Sequence, residues 1–137
     1  EGLIESCAGT LLRLRRELGA EAVKIFADIK KKHSSHSITS DVSISETAHA
    51  AEFFGADGVI ITGTATGSSA SPRELEEVKN KVQIPVWVGS GITPENLPQF
   101  SRANGWIVGS YLKKNGYWKN PLDSEALAKM VQATKKL

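Results

Sequence analysis

Val86-Trp87-Val88-Gly89-Ser90-Gly91-Ile92-Thr93-Pro94-Glu95-Asn96 reads as a short apolar strand, a glycine-rich turn and a helix start. Thr93 fits the N-cap. Pro94 fits the first helical position, where a missing N–H costs nothing, and Asn96 stands three residues after the cap. Gly89 and Gly91 leave room for a ligand to approach the backbone. A strand-to-helix turn of this kind aims N–H groups and the positive end of a helix at one point, which suits an anion such as phosphate. The same residues also make a tight turn with no ligand, because glycine turns are common in parallel α/β folds.

Working outward, the same unit repeats. Gly58 to Gly63 is a strand apolar on both faces, as expected when both are covered. A Gly/Ser/Thr/Ala loop follows from Thr64 to Ser71. Pro72 then opens a helix to Lys81, with Leu75 and Val78 inward, and Ile84 begins the strand that ends in the quoted turn. Upstream, Ala8 to Leu18 places Leu11, Leu12, Leu14 and Leu18 at helical spacing, and Gly19 stops it. Val23 to Lys30 alternates as a strand, with Val23, Ile25, Ala27 and Ile29 on one face and Lys24, Phe26, Asp28 and Lys30 on the other. A polar loop from Lys31 to Val42 has no periodicity, and Ser43 or Ser45 caps a helix to Phe54. Downstream, the helix begun at Thr93 runs to about Ala103, disturbed by Pro98. Trp106 to Gly109 is the fourth strand, and Gly109 to Lys113 starts a short helix. Lys114 to Leu122 is irregular. Ser124 caps a last helix to Lys135.

Strand–helix units with short returns after the helices imply a parallel sheet with right-handed crossovers. Two α/β architectures satisfy that: an open doubly wound sheet, or part of a (β/α)8 barrel. A whole barrel needs roughly 250 residues, so the 137 here make about half of one. Asp28 and Lys30 favour the barrel. In a doubly wound sheet both faces meet apolar helices, where an Asp–Lys pair is costly. In a barrel one face looks into the lumen near the active-site mouth. The reading is therefore a single domain over residues 1–137, the C-terminal half of a TIM-type barrel. The phosphate site of such barrels is often built from the last two strand loops and a short extra helix. Gly89-Ser90-Gly91 and Gly109-Ser110 end the last two strands here.

Bulk composition narrows the classes. Hydrophobic residues make up 40% and charged residues 23%, ordinary for a globular protein. A formal charge of +2 is too small to argue for a nucleic-acid partner. The single Cys7 excludes an intrachain disulfide and a cysteine-cluster metal site, and mildly favours an intracellular, reducing compartment. No apolar run approaches an integral membrane span. The chain begins at Glu1, so a preceding segment would escape this reading.

Several stretches taken together resemble the BtpA/SgcQ family. They are Lys32-His33 after the Asp28-bearing strand, Gly63-Thr64-Ala65-Thr66-Gly67, Val88 to Asn96, Val108-Gly109-Ser110-Tyr111-Leu112-Lys113, and the trailing Gly116, Asn120 and Asp123. The resemblance extends from about Val23 to Lys135. It implies a TIM-type barrel similar to the phosphate-binding group, represented here from the fourth helix to the eighth. One branch takes its name from a cyanobacterial protein linked to photosystem I biogenesis. The other sits with sugar-metabolism genes and looks like an enzyme.

Asp28 can abstract or relay a proton, and Lys30 can stabilise an oxyanion or bind phosphate. The bland alternative is a lumenal salt bridge. His33 is a further acid–base candidate. His33, His36 and Asp41 lack the geometry and third ligand of a metal site, so no metal is assigned. The ligand-binding set is Gly63, Thr66, Gly67, Gly89, Ser90, Gly91, Gly109 and Ser110. The expected function is binding, with isomerase, lyase or hydrolase chemistry, of a phosphorylated small molecule that is sugar-phosphate-like or nucleotide-like. No cofactor is specified. The competing expectation is a non-catalytic assembly or biogenesis factor for a membrane complex. A half barrel exposes two sheet edges, so the expected partner is an N-terminal half-barrel or a second copy.

Overall fold

The structure, a computed structural model, describes residues 5–30, 38–63 and 69–137. Helix α1 (Ala8–Glu17) precedes β1 (Phe26–Ile29), α2 (Ile44–Phe53), β2 (Gly58–Thr62), α3 (Pro72–Lys79) and β3 (Val86–Gly89). A 3₁₀ turn (Leu97–Phe100) leads to β4 (Gly105–Ile107). Two further 3₁₀ turns (Ser110–Leu112 and Lys114–Gly116) lead to α4 (Ser124–Thr134).

The four strands are parallel and lie in the order β1-β2-β3-β4. Strands that follow one another in space as in sequence, joined by crossovers of one hand, put every connecting helix on the same side. A doubly wound sheet requires the order to reverse. The order therefore selects the barrel-type sheet.

Burial follows from it. Ile29, Val59, Ile61, Val86 and Val88 point to the helix side and are buried. They pack in one core with Ala48 of α2, Leu75 and Val78 of α3, Leu97 and Phe100 of the 3₁₀ turn, and Met130 of α4. The opposite face carries Phe26, Ile60, Thr62 and Trp87, half-buried, and Asp28 and Ile107, exposed. Phe26 and Trp87 meet across this face with ring centroids 4.9 Å apart. Two glycines make room for them. A Cβ on Gly58 would collide with the Phe26 ring, and one on Gly105 would lie 2.9 Å from Trp87 Cε2.

Local chemistry sets the element ends. Ser43 closes a full capping box on α2: its Oγ accepts from Glu46 N–H at 3.1 Å, and Glu46 Oε2 accepts from Ser43 N–H at 2.9 Å. Ser71 caps α3, with Pro72 at its first position.

Besides shifts of one or two residues at the ends of α3, β3 and β4, four boundaries depart from the sequence expectation for reasons the structure shows. Strand β1 begins at Phe26 rather than Val23, because Ile25 N–H donates to Asp57 Oδ2 at 2.9 Å and Val23 N–H to the Ala20 carbonyl at 3.0 Å. It stops before Lys30, whose φ of 48° leaves the extended region. The helix expected from Thr93 to about Ala103 is only the single 3₁₀ turn at Leu97–Phe100. Pro98 has no N–H to continue an α-helix, and Asn96 holds Thr93 N–H at 2.9 Å. Finally, α4 is capped by Asp123 rather than Ser124. The Asp123 carboxylate accepts from Glu125 and Ala126 N–H.

At the amino end of the sheet, Asp57 ties α1 to β1 and β2. It accepts from Ile25 N–H, from Arg15 Nη1 at 2.7 Å and from Lys24 Nζ at 3.1 Å. The Ile25 N–H first, then Arg15 and Lys24, hold its carboxyl at about 2, below the ordinary 3.8. A carboxylate with a lowered folded pKa contributes stability above its unfolded value and loses it as the group protonates. The clamp is expected to be intact above pH 3.8 and to weaken between there and about 2. Urea unfolding followed against pH should show stability falling through that window, and Asp57→Asn should flatten the fall.

Candidate functional site

Loops at the carboxyl ends of parallel strands are where such sheets carry ligands. The pairing of Gly89 with Ile107 puts the turns after β3 and β4 side by side along that edge. The first contains Ser90 and Gly91 in succession at φ 69° and 63°, a left-handed pair. A non-glycine residue at such φ is uncommon and marks a turn held by its surroundings. Asn96 does the holding. Its Nδ2 donates to the Gly91 carbonyl at 2.7 Å while its Oδ1 accepts from Thr93 N–H. One side chain thus staples the chain on both sides of Ile92, which is itself buried. Asn96 was legible in the sequence only as a residue three after a cap. Its second bond, back to Gly91, has no local signature.

This geometry corrects the electrostatic reading of the turn. No α-helix follows Thr93, so no helix macrodipole points at the turn, and Thr93 N–H is already used. The Thr93 hydroxyl instead engages Glu95 and, as the leading cause, lowers that carboxyl below its ordinary value. What remains for an anion is the backbone of the paired turns. In the second turn Gly109 has nothing within 4 Å of where a Cβ would stand. The space around it is open, so a ligand can reach the backbone, while its φ of −112° and ψ of −90° lie outside the α and β regions and also favour glycine. Ser110 opens the 3₁₀ turn that follows, with Leu112 N–H bonded to the Gly109 carbonyl at 3.0 Å.

The candidate acid–base residues diverge. Asp28 lies on the face with Phe26, Ile60 and Trp87, exposed and without a partner among the described residues. Lys30 does not pair with it. The left-handed turn at residue 30 breaks the strand alternation, and Lys30 Nζ donates to the Thr39 carbonyl at 2.7 Å. The lumenal Asp28–Lys30 salt bridge, the bland alternative, is therefore not formed. Lys30 instead lines an open cleft of about 530 Å³ with Ser43, Thr62, Gly63, Ser71 and Glu74. Gly63 lines this cleft, and the pairing of Thr62 with Gly89 sets it beside the turn after β3. Thr62 Oγ1 is buried there with no hydrogen-bond partner among the described residues. His33, Thr66 and Gly67, like His36, lie outside the described residues.

The BtpA family model matches residues 1–136. An uncharacterized mitochondrial protein of Caenorhabditis elegans is 54% identical over 132 residues, covering 96% of this chain and 48% of that protein. The photosystem I biogenesis protein BtpA of Synechocystis is 38% identical over 135 residues, covering 97% of this chain and 46% of the relative. The chain spans about half the length of the curated relatives it matches. Two solved structures share its fold. Wild-type GGGPS from Thermoplasma volcanium superposes with a TM-score of 0.58 at 20% identity, over 95% of this chain and 57% of the other. Thiamine phosphate pyrophosphorylase from Pyrococcus furiosus does so with a TM-score of 0.55 at 16% identity, over 98% and 81%. Both are TIM-barrel-like, in accord with the sequential sheet.

The staple on the turn has a measurable worth. Asn96→Ala leaves Thr93 N–H and the Gly91 carbonyl without their side-chain partner. It is expected to cost about 1–2 kcal/mol, the usual loss for a cap or a side chain-to-backbone bond. Asn96→Asp keeps the acceptor and loses the donor, so chemical denaturation should put it between Asn96→Ala and the parent.

Proposed function

Because the chain belongs to the BtpA family, we propose that it forms the carboxyl-terminal part of a barrel protein that binds a phosphorylated small molecule. The observation that carries this reading is the pair of adjacent turns, Ser90-Gly91 and Gly109-Ser110, at one edge of the sheet. One is stapled in a left-handed conformation, and the other carries a glycine with open space around it. A phosphate takes its bonds from backbone N–H groups in such turns. The name of the Pyrococcus furiosus neighbour also specifies a phosphorylated ligand for that protein.

In this reading the turns anchor the ligand and the chemistry lies across the mouth. Asp28, on the open face and without a partner among the described residues, is the proton-transfer group. Lys30, turned into the neighbouring cleft, is a further cation for the ligand, and His33 is a second proton-transfer candidate. Isomerisation, lysis and hydrolysis are all compatible with a carboxylate and a lysine. The second reading, an assembly factor for a membrane complex, is favoured by the name of the Synechocystis relative. Asp28, exposed on the open face without a partner among the described residues, supports the enzyme, because a scaffold has no use for a lone carboxylate there.

The open face also supports a partner. Phe26 and Trp87 are half-buried, Ile107 is 43% exposed, and β1 and β4 are sheet edges. Four further strand units of the same protein, or a second half-barrel, cover such a face.

Two measurements test this. In the full-length protein, a phosphorylated ligand at a hundred times its Kd should stabilise the fold by about 2.7 kcal/mol, seen as a raised Tm. Gly109→Val should abolish the rise; the backbone at φ −112° and ψ −90° disfavours a β-branched residue, so the unliganded Tm should also fall and the ligand shift is read relative to it. A screen of phosphorylated metabolites in which none moves Tm would overturn the reading. Residues 1–137 alone should sediment as a dimer or larger species; a cooperatively folded monomer would contradict the need for a covering half.

A further inference from the structure

We propose that the loop between β4 and α4 is a recognition platform for the planar base of a nucleoside phosphate, with Trp118 as the stacking ring. This rests on the phosphate reading of the two turns and adds to it the rest of the ligand. The loop leaves the sheet directly after Gly109-Ser110 and returns at Asp123, the cap of α4, so both ends lie on the edge that carries the turns.

Its base is clamped. Lys113 and Leu122 form an antiparallel bridge. Lys114 N–H donates to the Pro121 carbonyl at 3.0 Å and Asp123 N–H to the Leu112 carbonyl at 2.8 Å. Within the loop, Asn120 Nδ2 donates to the Lys114 carbonyl at 2.8 Å, and Asn120 N–H donates to the Tyr117 carbonyl at 2.9 Å. Asn115 and Gly116 are both left-handed, at φ 57° and 65°.

This much local order does not bury the aromatic residues; it presents them. Tyr117 is 49% and Trp118 58% exposed. Their ring centroids lie 6.2 Å apart with the planes inclined at 48°. Lys119 Nζ stands 5.0 Å from the centre of the Trp118 ring, a cation–π contact that steadies the indole. Lys113, Lys114 and Lys119 have no ion pair among the described residues.

Three cations without an ion pair among the described residues and a steadied, exposed indole, on the loop that follows Gly109-Ser110, match one ligand chemistry: phosphate at one end and a flat π-system at the other. The lysines attract the phosphate and the indole stacks on the base. A bare sugar phosphate would use the lysines and leave the indole idle.

The test titrates the full-length protein with inorganic phosphate, ribose 5-phosphate, the four common nucleosides and their 5′-monophosphates, by calorimetry. At least one monophosphate is expected to bind about tenfold tighter than ribose 5-phosphate, the worth of one base–aromatic stack. Trp118→Ala should reduce that ligand to the ribose 5-phosphate level, and Trp118→Phe should keep most of the preference. Gly109→Val should weaken both phosphorylated ligands. Equal binding of ribose 5-phosphate and all four monophosphates overturns the platform and leaves the phosphate reading standing. So does a preference that survives Trp118→Ala, including the case where that variant lowers only Tm because another part of the protein covers the indole. Nucleosides that bind through Trp118 while no phosphate compound gains over them overturn the phosphate reading alone. Silence from every probe overturns both.

Discussion

A right-handed crossover between neighbouring parallel strands has one side of the sheet on which to lay its helix. With four strands in sequential order, that constraint acts in one direction throughout and gives the sheet two unlike faces. The helix side is dry: Val59, Ile61, Val86 and Val88 are fully buried. The other side keeps a carboxylate, a half-buried threonine and a pair of aromatic rings in reach of solvent. Phe26 and Trp87 fit there because Gly58 and Gly105 on the adjoining strands have no side chains in the way. Large residues facing small ones across neighbouring strands is how a barrel interior fills its taper.

The same constraint puts every strand-to-helix loop on one edge, so the candidate site needs no long-range coincidence. What shapes it is the local hydrogen bonding of each loop. Asn96 replaces a helix start with a stapled turn. A left-handed Lys30 redirects a cation from the lumen to the cleft above α2 and α3, where it meets the Thr39 carbonyl. The capping residues Ser43, Ser71 and Asp123 start their helices at this edge and so fix where each loop must end. At the opposite edge, Asp57 draws Arg15, Lys24 and Ile25 N–H onto one carboxylate and locks the first helix to the first two strands.

Much of the fold was legible because hydrophobic period is a local property. The runs at Gly58–Thr62 and Val86–Gly89 announce strands covered on at least one face, and Leu75 and Val78 announce the buried side of α3. Two of the misreadings share one physical type. Ile25 and Asn96 are drawn into bonds with residues or geometry that the linear pattern does not reveal. The start of β1 depends on Asp57, 32 positions from Ile25. The length of the helix after Thr93 depends on Pro98 and on an amide that reaches back five positions to Gly91. Propensity and capping rules weigh neighbours in sequence. They do not weigh a competing partner that folding delivers.

By itself the amino-acid sequence determined the alternation of strands and helices, the parallel class of the sheet, the glycine turns at the strand ends and the resemblance to the BtpA family. Each of these is written in spacing and residue type. Tertiary structure alone decided four things. It decided that the strand order does not reverse, that Asp28 and Lys30 part company, that the Ser90-Gly91 turn is held by a side chain instead of a helix dipole, and that Trp118 is offered to solvent on a clamped loop. The reason is the same in each case. Which atoms compete for one donor, and which face a side chain meets, is settled by the folded geometry, within a loop as much as between distant strands, and no local period encodes it.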